Sequence, residues 1–226
     1  MEWGAMVNAT CQRTDPSGIA PFGALRESTS LITEGGVMAI RKSEEIEKEA
    51  LETGASMMAL TARTAPKTRG LDSVKTAVLT GTDLELLAIA MEKKIKEKST
   101  DLPGFKRDAD NVRNSAAVLL VGVSRDPKRM ELPLNCGACG YENCAALLAT
   151  GGREGEDFTG PVCIFQAIDL GIALGSAVKL AGELGIDNRI MYTVGAAAKK
   201  LNLLDSDLII AIPLSVTGKN PFFDRP

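Results

Sequence analysis

The sequence predicts a layered α+β domain, an α/β stack of helices on strands, with a cysteine-bearing segment inserted into it. Helix-like and strand-like patterns alternate from residue 43 to residue 213, the signature of helices packed on a sheet. Ala116–Val123 is an uncharged run of small and branched apolar residues, which suits a buried strand. Four of the five cysteines fall between positions 136 and 163, after that strand and at the start of a long apolar helix pattern.

Residues 1–37 are rich in Gly, Ser and Thr, contain Pro16 and Pro21, and lack sustained periodicity. They read as a disordered extension, with residues 38–226 as a single domain and Cys11 without a partner. Residues 43–62 form an amphipathic helix pattern: Ser43 as N-cap, Glu44, Glu45 and Glu47 at its positive end, and Ile46, Ala50, Leu51, Met57 and Met58 at helical spacing. The helix stops before Pro66, and Arg63–Gly70 is a basic loop. Val74–Leu79 suits a strand and Asp83–Lys98 a second amphipathic helix. Pro161–Leu184 is a long helix, with Gly171, Gly175 and Gly182 near one face, where another backbone can approach. Ile190–Val194 and Leu208–Pro213 are strand patterns flanking a short helix at 195–202.

Composition removes several classes of chemistry. The chain contains no histidine, so a Ser-His-Asp triad, a Cys-His pair, a Rieske centre and a Cys₂His₂ zinc site are excluded. Aromatics make up 4%, so the core must be built from Ala, Leu, Ile, Val and Met. A formal net charge of -3 gives no electrostatic reason for nucleic-acid binding. No apolar run reads as a membrane span, and Met-Glu-Trp-Gly is not the start of a secretory signal. The expected location is the cytoplasm. There, an odd number of cysteines with this clustering argues against a disulfide framework.

The cysteines read Cys136-x₂-Cys139-x₄-Cys144-x₁₈-Cys163. A [4Fe–4S] cube has four iron corners, each taking one thiolate, and three ligands from one loop with a distant fourth is a usual supply. Gly137 and Gly140 each follow a ligand, where the chain must turn sharply. Cys144 opens a helical pattern at Ala145–Ala149 and Cys163 follows Gly160-Pro161, a helix-start signal, so both thiolates would lie at positive helix ends. A Cys₄ zinc site, a redox-active Cys136–Cys139 pair and unconnected buried thiols are the competing readings. Gly151–Gly155 lacks the Lys-Ser/Thr ending of a phosphate loop and reads as a connector. Asp169 reads as a helix-packing partner or a proton relay, and Tyr141 as a shield over the site or a surface residue.

Cys136-Gly-Ala-Cys139-Gly-Tyr-Glu-Asn-Cys144 resembles the four-cysteine iron–sulfur domain of the corrinoid iron–sulfur protein large subunit and of Rnf-type electron-transport subunits. The span from about Met38 to the end, including Ile212–Arg225, resembles a bacterial and archaeal family described as containing a ferredoxin domain. A fainter resemblance is to the flavin-binding nitroreductases, through Ala65-Pro66-Lys67 before a strand and through the small-residue helix at 168–184. It implies a nitroreductase-like sandwich, with the iron–sulfur segment inserted at about 132–165, that forms a homodimer and binds FMN. The Arg-Ser-x-Arg stretch with which nitroreductases hold the FMN phosphate does not precede Glu44, and their loop asparagine is replaced near Arg69 and Gly70. Arg63, Lys67, Arg69 and Lys219 are the cations left to hold a phosphate. The expected function is iron–sulfur redox work, as an oxidoreductase or an electron-transfer protein served by a partner such as a ferredoxin. The alternatives are a module whose cluster is structural and a zinc-bound interaction domain. No catalytic residue is assigned.

Overall fold

A computed structural model describes residues 40–99 and 102–223. Residues 1–37 with Cys11, the Met38 boundary, and Asp224 and Arg225 lie outside them. Arg41–Pro226 forms one compact unit.

The strand Ala117–Val123 (β2) lies at the centre because it is buried at every residue. Lys75–Thr80 (β1) and Leu208–Ser215 (β6) pair with it on either side, both antiparallel, so Leu119 lies between Val78 and Ile212. Asp187–Asn188 (β5) adds a short edge, giving the order β1-β2-β6-β5. Alternate side chains of β2 serve two cores. Leu119, Val121 and Val123 join Ile212 and Leu214 beneath α1 (Ser43–Thr64) and α5 (Ile164–Glu183). Val118 and Leu120 join Ile209 and Ala211 beneath α2 (Thr82–Glu97), α3 (Gly104–Arg113) and α6 (Tyr192–Lys200). The result is a mixed α+β three-layer sandwich.

The layers are close where glycine permits. A Cβ on Gly195 of α6 would stand 2.0 Å from the Ile209 carbonyl oxygen, so α6 rests directly on β6. Gly171, Gly175 and Gly182 of α5 serve no such purpose within the described residues: nothing there lies within 4 Å of a Cβ built on any of them.

Several sequence expectations need correcting. Residues 190–194 are not a strand. Met191 alone bridges to Ala211, and Tyr192 starts α6, because Gly195 lets the helix take the space over the sheet. Lys42, not Ser43, is the N-cap residue of α1, and no side chain caps it. Helix α3 went unread because its apolar set is only Phe105, Ala109 and Val112, with Asp108 buried between them against the Thr193 hydroxyl at 2.6 Å. By length and composition α5 is long and apolar enough to cross a membrane, contrary to the reading of the apolar runs. In the fold it packs on α1 and β2 and buries Asp169 completely.

The insertion between β2 and α5 carries little regular structure: α4 (Cys144–Ala149) and a two-residue hairpin, β3 (Arg153–Glu154) with β4 (Thr159–Gly160). It sits at the end of the sandwich where α1 finishes, β2 finishes, and α5 and β6 begin.

Candidate metal centre

Residues 134–143 hold no helix or strand and turn sharply at Gly137–Gly140. Asn135, Gly137 and Gly140 all have positive φ, at 46°, 71° and 85°, and the Gly140 N–H closes a turn on the Gly137 carbonyl at 2.9 Å. The two glycines supply the left-handed backbone that the sequence called for. Asn135 pays for its strained φ with a specific contact, its Oδ1 accepting the Cys144 N–H at 3.0 Å. Asn143 caps α4, accepting the Ala146 N–H at 2.8 Å. Cys163 is the N-cap residue of α5. Because α4 has only six residues, the helix-end field at this site comes chiefly from α5.

The four thiols are free; Cys136 is exposed, Cys139 and Cys144 are half-buried and Cys163 is buried. Cys136, Cys144 and Cys163 line one narrow cleft with Thr68, Arg69 and Lys128, closed by Pro127, Leu134 and Phe165. Cys139 is in the same loop but does not line it. Among the described residues no three Cys, Asp or Glu side chains stand close enough to grip one metal ion. A tetrahedral ion with metal–sulfur bonds of about 2.3 Å needs its sulfurs about 3.8 Å apart, whereas a multi-iron group spreads them more widely. The all-sulfur donor set suits iron–sulfur ligation.

Arg125, which sequence reasoning missed, is the hub of the insertion. It is 6% exposed. Its guanidinium donates to the Pro161 carbonyl at 3.0 Å, the Leu147 carbonyl at 3.1 Å and the Thr150 hydroxyl at 3.0 Å. Its own carbonyl accepts the Cys163 N–H at 2.8 Å, and its N–H donates to Asp207 at 2.8 Å. One residue thus joins the fourth cysteine, the end of α4 and the start of β6. Gln166 adds a second tie, donating to the Asp126 carbonyl at 2.7 Å and accepting from Ser73 at 2.6 Å.

The hairpin is anchored separately. Asp157 takes hydrogen bonds from Lys98 and Tyr192 and lies 2.9 Å from Lys94 Nζ. Burial pushes its carboxyl up, but the bonds from Lys98, Tyr192 and Lys94 outweigh burial and hold it below the usual carboxylate range. Burial and the Asp157 charge both push the Tyr192 phenol up.

Asp169 lies behind the cleft. Its Oδ1 accepts the Thr68 N–H and hydroxyl, both at 2.9 Å, and its Oδ2 meets Lys128. It ties α5, on which it stands, to the 68–71 turn, where Arg69 has φ 60°.

The four cations assigned to a phosphate are not gathered. Arg63 grips Asp72 through two bonds at 2.6 and 2.9 Å. Burial raises the Asp72 carboxyl, yet Arg63, the Val74 N–H and Lys67 bring it below its ordinary value. Lys67, its side chain 5% exposed, closes the C-terminus of α1 by donating to the Ala62, Arg63 and Ala65 carbonyls. Arg69 reaches from the cleft to the Leu132 carbonyl. Lys219 follows β6, whose end shares a surface with Glu44, Glu47 and Lys48 at the start of α1. The other three lie at or just beyond the opposite end of α1, a helix of 22 residues and so about 33 Å long. Tyr141 is half-buried and does not line the cleft.

Residues 159–225 match the model of a family described as an uncharacterized protein containing a ferredoxin domain; of the four clustered cysteines that span holds Cys163. An uncharacterized protein of Archaeoglobus fulgidus is 45% identical over 182 residues, covering 80% of this chain and 95% of that protein. Among solved structures, the FMN and NADPH-dependent nitroreductase NfnB from Sphigopyxis sp. strain HMH aligns over 77% of this chain and 83% of its own, with 14% identity and a TM-score of 0.47. A putative nitroreductase in complex with FMN from Desulfovibrio desulfuricans aligns over 77% of this chain and 79% of its own, with 12% identity and a TM-score of 0.46. The relative's identity and coverage place this chain in the family of uncharacterized proteins that contain a ferredoxin domain.

Proposed function

We propose that this chain is an iron–sulfur redox protein whose [4Fe–4S] cluster is held by Cys136, Cys139, Cys144 and Cys163. The family's description as containing a ferredoxin domain supports a redox role. The observation that carries the cluster reading is the cleft, where three thiols from two separate segments line one cavity. When bound, a cluster supplies one-electron transfer. The chain's own residues bind and orient it: the glycine turns bring the first two thiols round, Arg125 fixes the fourth, and Pro127, Leu134 and Phe165 limit water. Exposed Cys136 leaves an edge for a one-electron partner such as a ferredoxin.

Anaerobic purification followed by iron, sulfide, zinc and flavin quantification on one sample tests this. About four irons and four sulfides per chain are expected. Stoichiometric zinc without sulfide would replace the reading with a zinc-bound domain. Bound FMN is no part of the proposal, because Arg63 and Lys67 are committed to Asp72 and to the end of α1; the same assay measures it. We also propose a homodimer through the outer face of α5, where Ile164, Ile168 and Ile172 are exposed beside Gly171 and Gly175. Light scattering of the protein and of Ile168→Glu checks it, with a dimer expected for the first and a monomer for the second.

A further inference from the structure

We infer that Lys128 is an electrostatic positioning residue of the cysteine site, its charge favouring added negative charge there, with Asp169 holding the ammonium group and moderating its effect. The inference rests on the cluster reading above. Lys128 lines the cleft beside Cys136, Cys144 and Cys163, and so does Arg69; among the described residues no carboxylate lines it. The walls around the thiols therefore carry two cations and no anion. Asp169 stands one layer further back. The side chains of Lys128 and Asp169 are 7% and 1% exposed, so solvent screens their charges little.

The pair is fully bonded. Lys128 Nζ donates to Asp169 and, at 2.6 Å, to the Leu71 carbonyl. Both Asp169 oxygens are occupied, one by Thr68 and the other by Lys128. This network holds the ammonium group against the cleft and ties α5, six residues beyond Cys163, to the turn that supplies Arg69. Fold stability alone does not account for it. A buried ion pair costs desolvation that its attraction often fails to recover, and apolar replacements of similar volume are often neutral or stabilising. A neighbouring site that would gather thiolates on the proposed cluster provides a reason. Four thiolates on a cluster carry net negative charge, each added electron increases it, and a nearby cation in a poorly screened setting lowers that cost.

The two partners must then act with opposite sign. Removing the Lys128 charge makes reduction harder, and removing the Asp169 charge makes it easier. A merely structural pair would shift both variants the same way, through the same loosening of α5 and the turn. The test is an anaerobic spectroelectrochemical titration of the loaded protein, with dithionite supplying the electron and no bond made or broken. Iron and sulfide are measured on every sample, so that midpoints are compared only at the wild-type complement. Lys128→Met is expected to lower the midpoint and Asp169→Asn to raise it. Lys128→Arg should stay nearer wild type than Lys128→Met, and the Lys128→Met/Asp169→Asn double variant should lie between the two single variants. Shifts of one sign in both single variants, or no shift in Lys128→Met, overturn the inference. Should Asp169→Asn fail to load, the two Lys128 variants decide: equal lowering in Met and Arg marks loss of fit rather than of charge and also overturns it. A wild-type chain that takes up no iron and sulfide defeats the cluster reading itself, before any variant is compared.

Discussion

The sandwich and the insertion are held together by different means. The sandwich is specified by side-chain burial on both faces of β2, spread over two clusters of apolar residues. The insertion between Val123 and Ile164 buries little apolar surface. It is fixed at points: Arg125 on four acceptors, Asn135 and Asn143 on single N–H groups, Asp157 on Lys98 and Tyr192. Burial is non-directional and distributed, so it tolerates exchange of one apolar residue for another of similar volume. Point anchors are directional and fail one at a time. The first region should lose stability globally when damaged, and the second should lose order locally, and with it its hold on the proposed cluster.

The largest expected effect is in the sandwich. Leu119→Ala should cost about 2–5 kcal/mol of global stability, read as a lower denaturant midpoint, while the folded fraction retains the iron of the proposed cluster as wild type does. Arg125→Met should cost about 1–3 kcal/mol, confined to the insertion. Amide exchange should accelerate over residues 144–163 and iron retention should fall, with β2 still protected. An equal rise in exchange in β2 would break the distinction between the regions.

The Asp157 anchor gives a pH test. Its folded-state carboxyl lies below the usual value, so its stabilising contribution is present above the unfolded value of about 3.9 and is lost as pH falls below it. Burial lowers Lys98, but the hydrogen bond and charge of Asp157 raise it further, and Tyr192 is raised as well. Their contributions are present below about 10 and fade as pH rises past it. Exchange in residues 153–160, corrected for its intrinsic pH dependence, should be slowest between these limits, and Asp157→Asn should flatten the profile. The smallest effect belongs to Asn143→Ala, which removes the cap of α4 at about 1 kcal/mol, measured as faster exchange at Ala146.

What was legible in the sequence follows the same division. β2 and β6 could be read because both faces of each are covered, leaving apolar runs with no polar interruption. α3 could not, since three apolar residues at helical spacing among seven polar or glycine positions resemble a loop. A search at i, i+4 and i+7 alone would have found Phe105, Ala109 and Val112. Met191 was drawn into a strand by β-branched neighbours, whereas the contact of Gly195 with β6 decided for a helix. The cysteine spacing and the glycines after the first two thiols were legible because positive φ has a residue signature. Arg125 had none. Two of its guanidinium's four acceptors are main-chain carbonyls, which any sequence supplies. Lys67 misled for the same reason: a lysine just beyond a helix closes carbonyls as readily as it binds a phosphate.

The place of Cys163 has a consequence for assembly. Its N–H is tied to Arg125 and its carbonyl accepts from Gln166 at 3.0 Å and Ala167 at 3.3 Å, so this thiol is set when the sandwich folds. The other three ride on a separate stretch of turns. Conformational entropy still to be lost on metal binding therefore resides in one short loop and not in the whole site, and closing such a loop costs far less than ordering a chain that has no structure. A chain that takes up the proposed cluster would do so with one of its four thiols already in place.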